Sequence, residues 1–221
     1  IGTVYGRAED CIRQSDLVIL AVKPQDSAAL LRQLQPLIDP QQVFLSIMAG
    51  VKIETIAAAL KAAKVIRAMP NLPAQIGMGM TAFTSSAEVT RIELVMVQNL
   101  LNTTGKTVYV AEESAIDAAT AISGSGPAYV WFFMKSMMDA ARGMGFSHSE
   151  AELLVSQTFR GAIELFNKTD FTCEEWITKV CSRGGTTEAA LASYERNLVR
   201  DDIMAGAQAA LDRAVELGKA E

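Results

Sequence analysis

A chain of 221 residues that is 50% hydrophobic and 20% charged holds enough apolar material for one large core or two modest ones, which argues against a disordered or low-complexity protein. Its formal charge of −5 argues against nucleic acid or an anionic membrane surface as the main partner and fits a small metabolite better. The longest strongly apolar run, AYVWFFMKSMM, is broken by Lys135 well short of the roughly 20 residues a bilayer span needs, so no membrane helix is expected.

In chain order, DLVILAV (16–22), VFLSIM (43–48), KVIRAM (64–69), GMTAFT (79–84) and KTVYV (106–110) are short apolar runs that predict strands, several of them buried on both faces. Between them, residues 26–38, 52–60 and 87–105 carry apolar side chains at three- and four-residue spacing and predict amphipathic helices. This alternation predicts an α/β fold with a doubly wound parallel sheet over residues 1–110.

From residue 111 to 221 the strand signals stop, and the period is helical over 112–145, 147–168, 173–180, 187–197 and 199–220, with breaks at Gly145 and Gly184. The first of these helices carries Trp131, Phe132, Phe133, Met134, Met137 and Met138, more apolar bulk than one buried stripe requires. Either a second chain covers part of it or it is a fully enclosed core helix.

The single histidine, His148, follows Ser147 with Glu150 three residues beyond that serine. This is a capping-box pattern that puts His148 in an exposed first turn. Neither a histidine-based zinc site nor a serine triad is expected, and no metal site is predicted. Cys11, Cys173 and Cys181 lie far apart without a C-x-x-C pair, and no signal-peptide pattern is present, so a reducing cytoplasm is the expected location.

In open parallel sheets ligands bind beyond the carboxyl ends of the strands. Ala21, Val22, Lys23 and Pro24 follow the first strand, with Lys23 placed for a phosphate or carboxylate. Ile47, Met48, Ala49 and Gly50 follow the second, the last two small enough for a flat ring to approach the backbone. Met69, Pro70 and Asn71 follow the third, with Asn71 able to offer an amide to a carboxamide. Each stretch alone also reads as an ordinary turn.

In ISGSGPAYV, Gly124 and Gly126 suit close helix crossing and Pro127 suits a helix first turn, but no Lys-Ser/Thr follows, so this is not a Walker loop. In KVCSRGGTTEAAL, Gly184 and Gly185 precede Thr186 and Thr187, which cap a helix beginning at Glu188. The same stretch reads as a carboxylate or phosphate receptor, with free amides backed by the positive end of a helix dipole.

Taken together and in this order, AVKP, SIMAG, VIRAMPNLP, ISGSGPAYV and VCSRGGTTEAA resemble Δ1-pyrroline-5-carboxylate reductase, a family that makes proline, over nearly the whole chain. The resemblance implies a Rossmann domain for NADPH or NADH, followed by an all-helical domain that interlocks with its twin in a homodimer and assembles further into decamer-like rings. It places Ala21 to Pro24, Ile47 to Ala49 and Met69 to Asn71 near the nicotinamide, with Glu113 as an acid near the cofactor, although an acid in a helix first turn also suits the dipole. Val180, Ser182, Gly184, Gly185, Thr186 and Thr187 then form the pyrroline carboxylate site, with Thr187 as the catalytic group over the ring nitrogen and Asp170 as an acid that pairs with Lys23.

The chain departs from the family at Arg183 (usually Pro), at Leu72 (usually Thr) and around Lys179 (usually Asn nearby). The family's opening strand, G-x-G-x-x-G turn and helix, about sixty residues, are absent from the sequence, and with them the main pyrophosphate anchor and the end of the second strand that selects NADPH or NADH. Two other readings follow: a β-hydroxyacid dehydrogenase, disfavoured because no lysine lies between Lys106 and Lys135, and a catalytically inert dimerisation scaffold.

Overall fold

A computed structural model describes residues 2–218 and divides into two compact units. One is Ile1–Pro127 with Ala207–Glu221, and the other is Ala128–Gly206. The helical stretch that begins after residue 110 thus starts inside the sheet unit. The last helix is described as far as Leu217, and residues 219 and 220 of its expected span lie outside the described residues.

The first unit is built on β1 (Leu17–Leu20), β2 (Val43–Ser46), β3 (Val65–Met69), β4 (Gly79–Ser85) and β5 (Gly105–Tyr109), adjacent in that order. The pairs β1–β2, β2–β3 and β4–β5 are parallel and β3–β4 is antiparallel. The connections explain the difference. Helices α1 (Pro24–Leu34), α2 (Ile53–Leu60) and α3 (Arg91–Asn102) carry the chain back across the sheet, whereas only a short 3-10 turn, Leu72–Ile76, and the left-handed Gly77 (φ 72) join β3 to β4. So short a link cannot make a parallel crossover.

Successive residues of β2 and β3 point to opposite faces, and both faces are covered. Phe44 and Val65 join Leu20, Leu31, Ile56 and Leu60 on one side, while Val43, Leu45 and Ile66 join Phe83, Val97 and Leu101 on the other. That is why these strands read as continuous apolar runs. α1 starts with Pro24 at its first position and buries Ser27, Leu31 and Leu34, one face at helical spacing. α3 starts at a capping box between Thr90 and Glu93.

After residue 110 come α4 (Ser114–Ala119), a π turn (Thr120–Gly124), α5 (Gly126–Gly143), α6 (His148–Asn167), α7 (Cys173–Val180), α8 (Thr186–Arg196) and α9 (Val199–Leu217). The capping box expected at Ser147 and Glu150 starts α6, and a second one between Thr172 and Glu175 starts α7. His148 is the exposed first residue of α6, with Nε2 4.0 Å from Glu152. Within residues 128–206 the buried apolar side chains are Ala151 and Val155, while Trp131, Phe132, Met137, Leu153 and Ile163 stand exposed. No described helix is long and apolar enough to cross a membrane.

Phe44 is fully buried at the centre of the sheet. Phe44→Ala is expected to destabilise the first unit by about 3–5 kcal/mol through lost transfer energy and the cavity left behind, read as a lower urea midpoint for loss of the sheet signal.

Candidate functional site

β1, β2 and β3 run in the same direction and in register, with Leu20 beside Ser46 and Ser46 beside Arg67. Their exits therefore lie side by side along one edge of the sheet, which is where an open parallel sheet binds ligands. Ala21 and Lys23 are exposed there, Lys23 as the N-cap of α1, and Lys23 makes no ion pair among the described residues. Pro24 is the first residue of α1 rather than only the end of a strand, and Val22 packs against the core.

Two of the second-strand positions have other duties. Met48, expected to face a dinucleotide, is 2% exposed and turns its side chain into the core with Phe44 and Ile56. Gly50 is left-handed (φ +79), and a Cβ there would lie 3.4 Å from Leu217 of α9, so its small size serves a turn and a close helix end. Ile47 and Ala49 are half-buried at the same exit.

Asn71 does not present a free amide. Its Oδ1 accepts from the Met80 N–H at 2.9 Å, and its Nδ2 donates to the Ser123 carbonyl at 3.2 Å and the Ser123 hydroxyl at 3.3 Å. The side chain expected to bind a carboxamide instead clips the β3 exit to β4 and to the π turn. That turn, closed by the Ser125 N–H donating to the Thr120 carbonyl at 2.9 Å, interrupts what the sequence periodicity reads as one helix over 112–145. Gly124 sits where a Cβ would come 3.1 Å from the Met69 side chain, so it makes room for the β3 exit rather than for a crossing helix, and Gly126 faces open space.

The residue that sequence reasoning missed is Arg67, 1% exposed in the middle of β3. Its Nη1 donates to Glu113 Oε1 at 3.0 Å and its Nη2 to Asp117 Oδ1 at 2.7 Å. Glu113 Oε1 also accepts the Ile53 N–H at 2.9 Å, so this carboxylate, expected beside a cofactor, is engaged by β3 and by the first residue of α2. The signal was present: a cation inside the apolar strand KVIRAM is intelligible only if something nearby neutralises it.

In the second unit α7 ends at Val180, 65% exposed, and the chain turns through Cys181, Ser182 and Arg183 into Gly184 (φ +71) and Gly185. The Gly184 N–H donates to Glu188 Oε2 at 2.6 Å and the Gly185 N–H to the Ser182 carbonyl at 2.9 Å. A Cβ on Gly185 would lie 2.9 Å from the Ser182 carbonyl oxygen as well as 2.5 Å from its hydroxyl, so the backbone here leaves room only for glycine. Gly185 is the N-cap of α8, without a side-chain cap, and Thr186 and Thr187 are the first two residues of the helix. The expected threonine cap is thus corrected, because the backbone turn reaches the helix one residue earlier. Both hydroxyls are free of capping duty. The N–H groups of Thr186, Thr187 and Glu188 precede the first intrahelical bond and have no partner among the described residues. Three unpaired amides thus stand at the positive end of an 11-residue helix, an arrangement that attracts anions.

Known proteins match both parts of the chain. A family model described as pyrroline-5-carboxylate reductase dimerisation matches residues 113–217, and one described as ketopantoate reductase PanE/ApbA matches residues 4–90. Pyrroline-5-carboxylate reductase of Pseudomonas aeruginosa is 35% identical over 99% of this chain and 82% of its own length. That of Aquifex aeolicus is 37% identical over 86% of this chain and 71% of its own. Among solved structures, the Plasmodium falciparum pyrroline carboxylate reductase with NADP bound superposes with a TM-score of 0.90 at 29% identity, covering 97% of this chain and 81% of that one. The Coxiella burnetii pyrroline-5-carboxylate reductase gives a TM-score of 0.89 at 30% identity, covering 96% and 80%.

Asn71→Ala removes the Met80 and Ser123 hydrogen bonds together and is expected to lower stability by about 1–3 kcal/mol. Asn71→Asp keeps an acceptor for Met80 but sets a carboxylate against the Ser123 carbonyl, and is expected to lose at least as much. Urea midpoints equal to wild type for both variants would show that the clip carries no weight.

Proposed function

Because this chain belongs to the pyrroline-5-carboxylate reductase family, we propose that it reduces Δ1-pyrroline-5-carboxylate to L-proline with NAD(P)H, the last step of proline biosynthesis. Similarity to reductases of that name runs through both units rather than one, which carries the reading.

The strand-exit edge fits a dinucleotide. Ala21 and Ala49 keep the surface low enough for close approach, and exposed Lys23 is available to a phosphate. Ala21, Val22, Lys23, Pro24, Ile47, Ala49, Met69 and Pro70 would hold the cofactor. Met48, Asn71 and Glu113 would shape the edge from behind, since their side chains are engaged elsewhere. A bound NAD(P)H supplies the hydride.

The observation that carries the substrate assignment is the set of unpartnered amides at Thr186, Thr187 and Glu188. These would hold the pyrroline carboxylate, with Val180 and Ser182 at the rim and Gly184 and Gly185 setting the turn. The Thr187 hydroxyl, free of capping, donates to the ring nitrogen or relays a proton toward it. A C=N bond protonated at nitrogen accepts a hydride at its carbon more readily, so orientation and one hydrogen bond are what the protein must provide. No imidazole is required, in keeping with exposed His148.

The exposed apolar side chains of α5 and α6 suit burial against a second copy, giving a homodimer through the helical region that assembles into a decamer-like ring. Three free cysteines suit a reducing cytoplasm.

With pyrroline-5-carboxylate and NADPH or NADH, the protein is expected to oxidise the nucleotide and release proline, identified by chromatography. Thr187→Ala is expected to lower kcat/KM by about tenfold to a thousandfold. Wild-type kinetics in that variant would remove Thr187 from the mechanism, and a wild-type protein inert with both nucleotides would favour a dimerisation scaffold.

A further inference from the structure

We propose that Arg67 is a positioning residue for the reduction: its guanidinium holds the two neighbouring strand exits, Ile47–Lys52 and Met69–Asn71, in the relative register that cofactor binding requires. The proposal rests on the functional reading above only for which ligand occupies that edge.

The chain of contacts is short. Arg67 lies on β3 two residues before Met69, so whatever fixes its guanidinium fixes the start of the β3 exit. Nη1 and Nη2 reach Glu113 and Asp117, which are four residues apart and therefore on one face where α4 begins. A planar guanidinium presents two donors in a rigid fork, so two carboxylates on one helix face set both the distance and the rotation of that helix relative to β3.

The same Glu113 oxygen then takes the Ile53 N–H. Ile53 is the first residue of α2, and the N-cap before it, Lys52, makes no side-chain cap. Glu113 thus supplies from another helix the acceptor that α2 lacks in its own sequence. One carboxylate oxygen ends the β2 exit, and the cation that orients it begins the β3 exit.

Stability alone explains the cluster poorly. Arg67 Nε is buried without a hydrogen-bond partner, so desolvation of the guanidinium is not fully compensated. Buried ion pairs are often replaced by apolar groups with no loss of stability, whereas apolar groups cannot reproduce the geometry of a fork.

Two variants separate geometry from charge balance. Arg67→Lys keeps the charge but lacks the rigid planar fork that orients Glu113 and Asp117 together. The combination Arg67→Met, Glu113→Gln and Asp117→Asn removes all three charges while leaving an amide oxygen at position 113 to accept the Ile53 N–H. Each is compared with wild type by urea denaturation, by fluorescence titration with reduced nicotinamide nucleotide in the absence of pyrroline-5-carboxylate, by KM for each substrate, and by hydrogen exchange of the Ile53 amide.

Arg67→Lys is expected to weaken nucleotide binding about tenfold, the order of cost of a displaced positioning group, and to leave the KM for pyrroline-5-carboxylate within about twofold. Its Ile53 amide is expected to exchange about tenfold faster. The triple variant is expected to recover wild-type stability while its nucleotide affinity stays about tenfold weaker. Recovery of both stability and affinity in the triple variant, or wild-type affinity in Arg67→Lys, overturns the proposal. A wild-type protein that binds neither nucleotide sinks the functional reading instead. Ile53 exchange then decides for Arg67 alone, with an unchanged rate in Arg67→Lys overturning its positioning role.

Discussion

One buried guanidinium organises the contacts around α4 in the first unit. A cation with 1% of its surface exposed cannot remain in an apolar strand unless opposite charge is brought to it, because leaving it unpaired would cost several kcal/mol. Both counter-charges come from the same short helix, so neutralising Arg67 fixes α4 against the sheet. From there the π turn continues the backbone of α4, and the Ile53 cap and the Asn71 clip attach to this segment through long-range hydrogen bonds. This is why residues 113 to 127, which fall within the match to the family's dimerisation region, belong structurally to the sheet unit. Sequence similarity marks where a common ancestry runs, whereas compactness follows the contacts.

The second unit presents the opposite problem. Its helices run from 8 to 20 residues, and α6 and α7 are well started by capping boxes, but caps contribute only about 1 kcal/mol each. Most helical stability in proteins comes from packing an apolar face. Within residues 128–206 the buried apolar residues are Ala151 and Val155, while side chains as large as Trp131 and Phe132 face outward. At about 25 cal/mol per Å2 of apolar surface, such an arrangement is completed by covering those faces rather than by adding local helix signals. Residues 113–217 match a family model described as a dimerisation region, and oligomerisation is the kind of contact that covers such faces.

Much of this was legible in the sequence. The five strands were visible as apolar runs, most continuously in β2 and β3 where both faces are buried, and Ser147 with Glu150 announced α6 through local chemistry. What stayed hidden was long-range. Nothing near Asn71 or Glu113 indicates that their partners are Ser123 and Ile53, more than fifty positions away in each case. Periodicity could not reveal the π turn either, because the residues around it are too uniformly small or apolar to mark the shift that one extra residue makes. The antiparallel β3–β4 pair was more accessible: the link is too short for a crossover, and its length could have been weighed.

At the Gly-Gly turn the two glycines do not act as ligand donors. Both amides are already used, one by Glu188 and one by the Ser182 carbonyl, so the glycines serve geometry: Gly184 takes a left-handed angle and Gly185 fits against Ser182. The turn is therefore built before any ligand arrives, and the following amides are held in place rather than recruited, which lowers the ordering cost of binding. Glu188 also brings a carboxylate to the positive end of α8, where it already uses part of the favourable potential. On the reading that this turn receives the substrate, an arriving anion meets three amides and one resident negative charge. A dianion such as phosphate suffers roughly twice the repulsion from that charge that a single carboxylate does. On the same reading the turn favours a monocarboxylic acid over a dianion, and the neutral Thr187 hydroxyl beside it would leave that balance of charge unchanged.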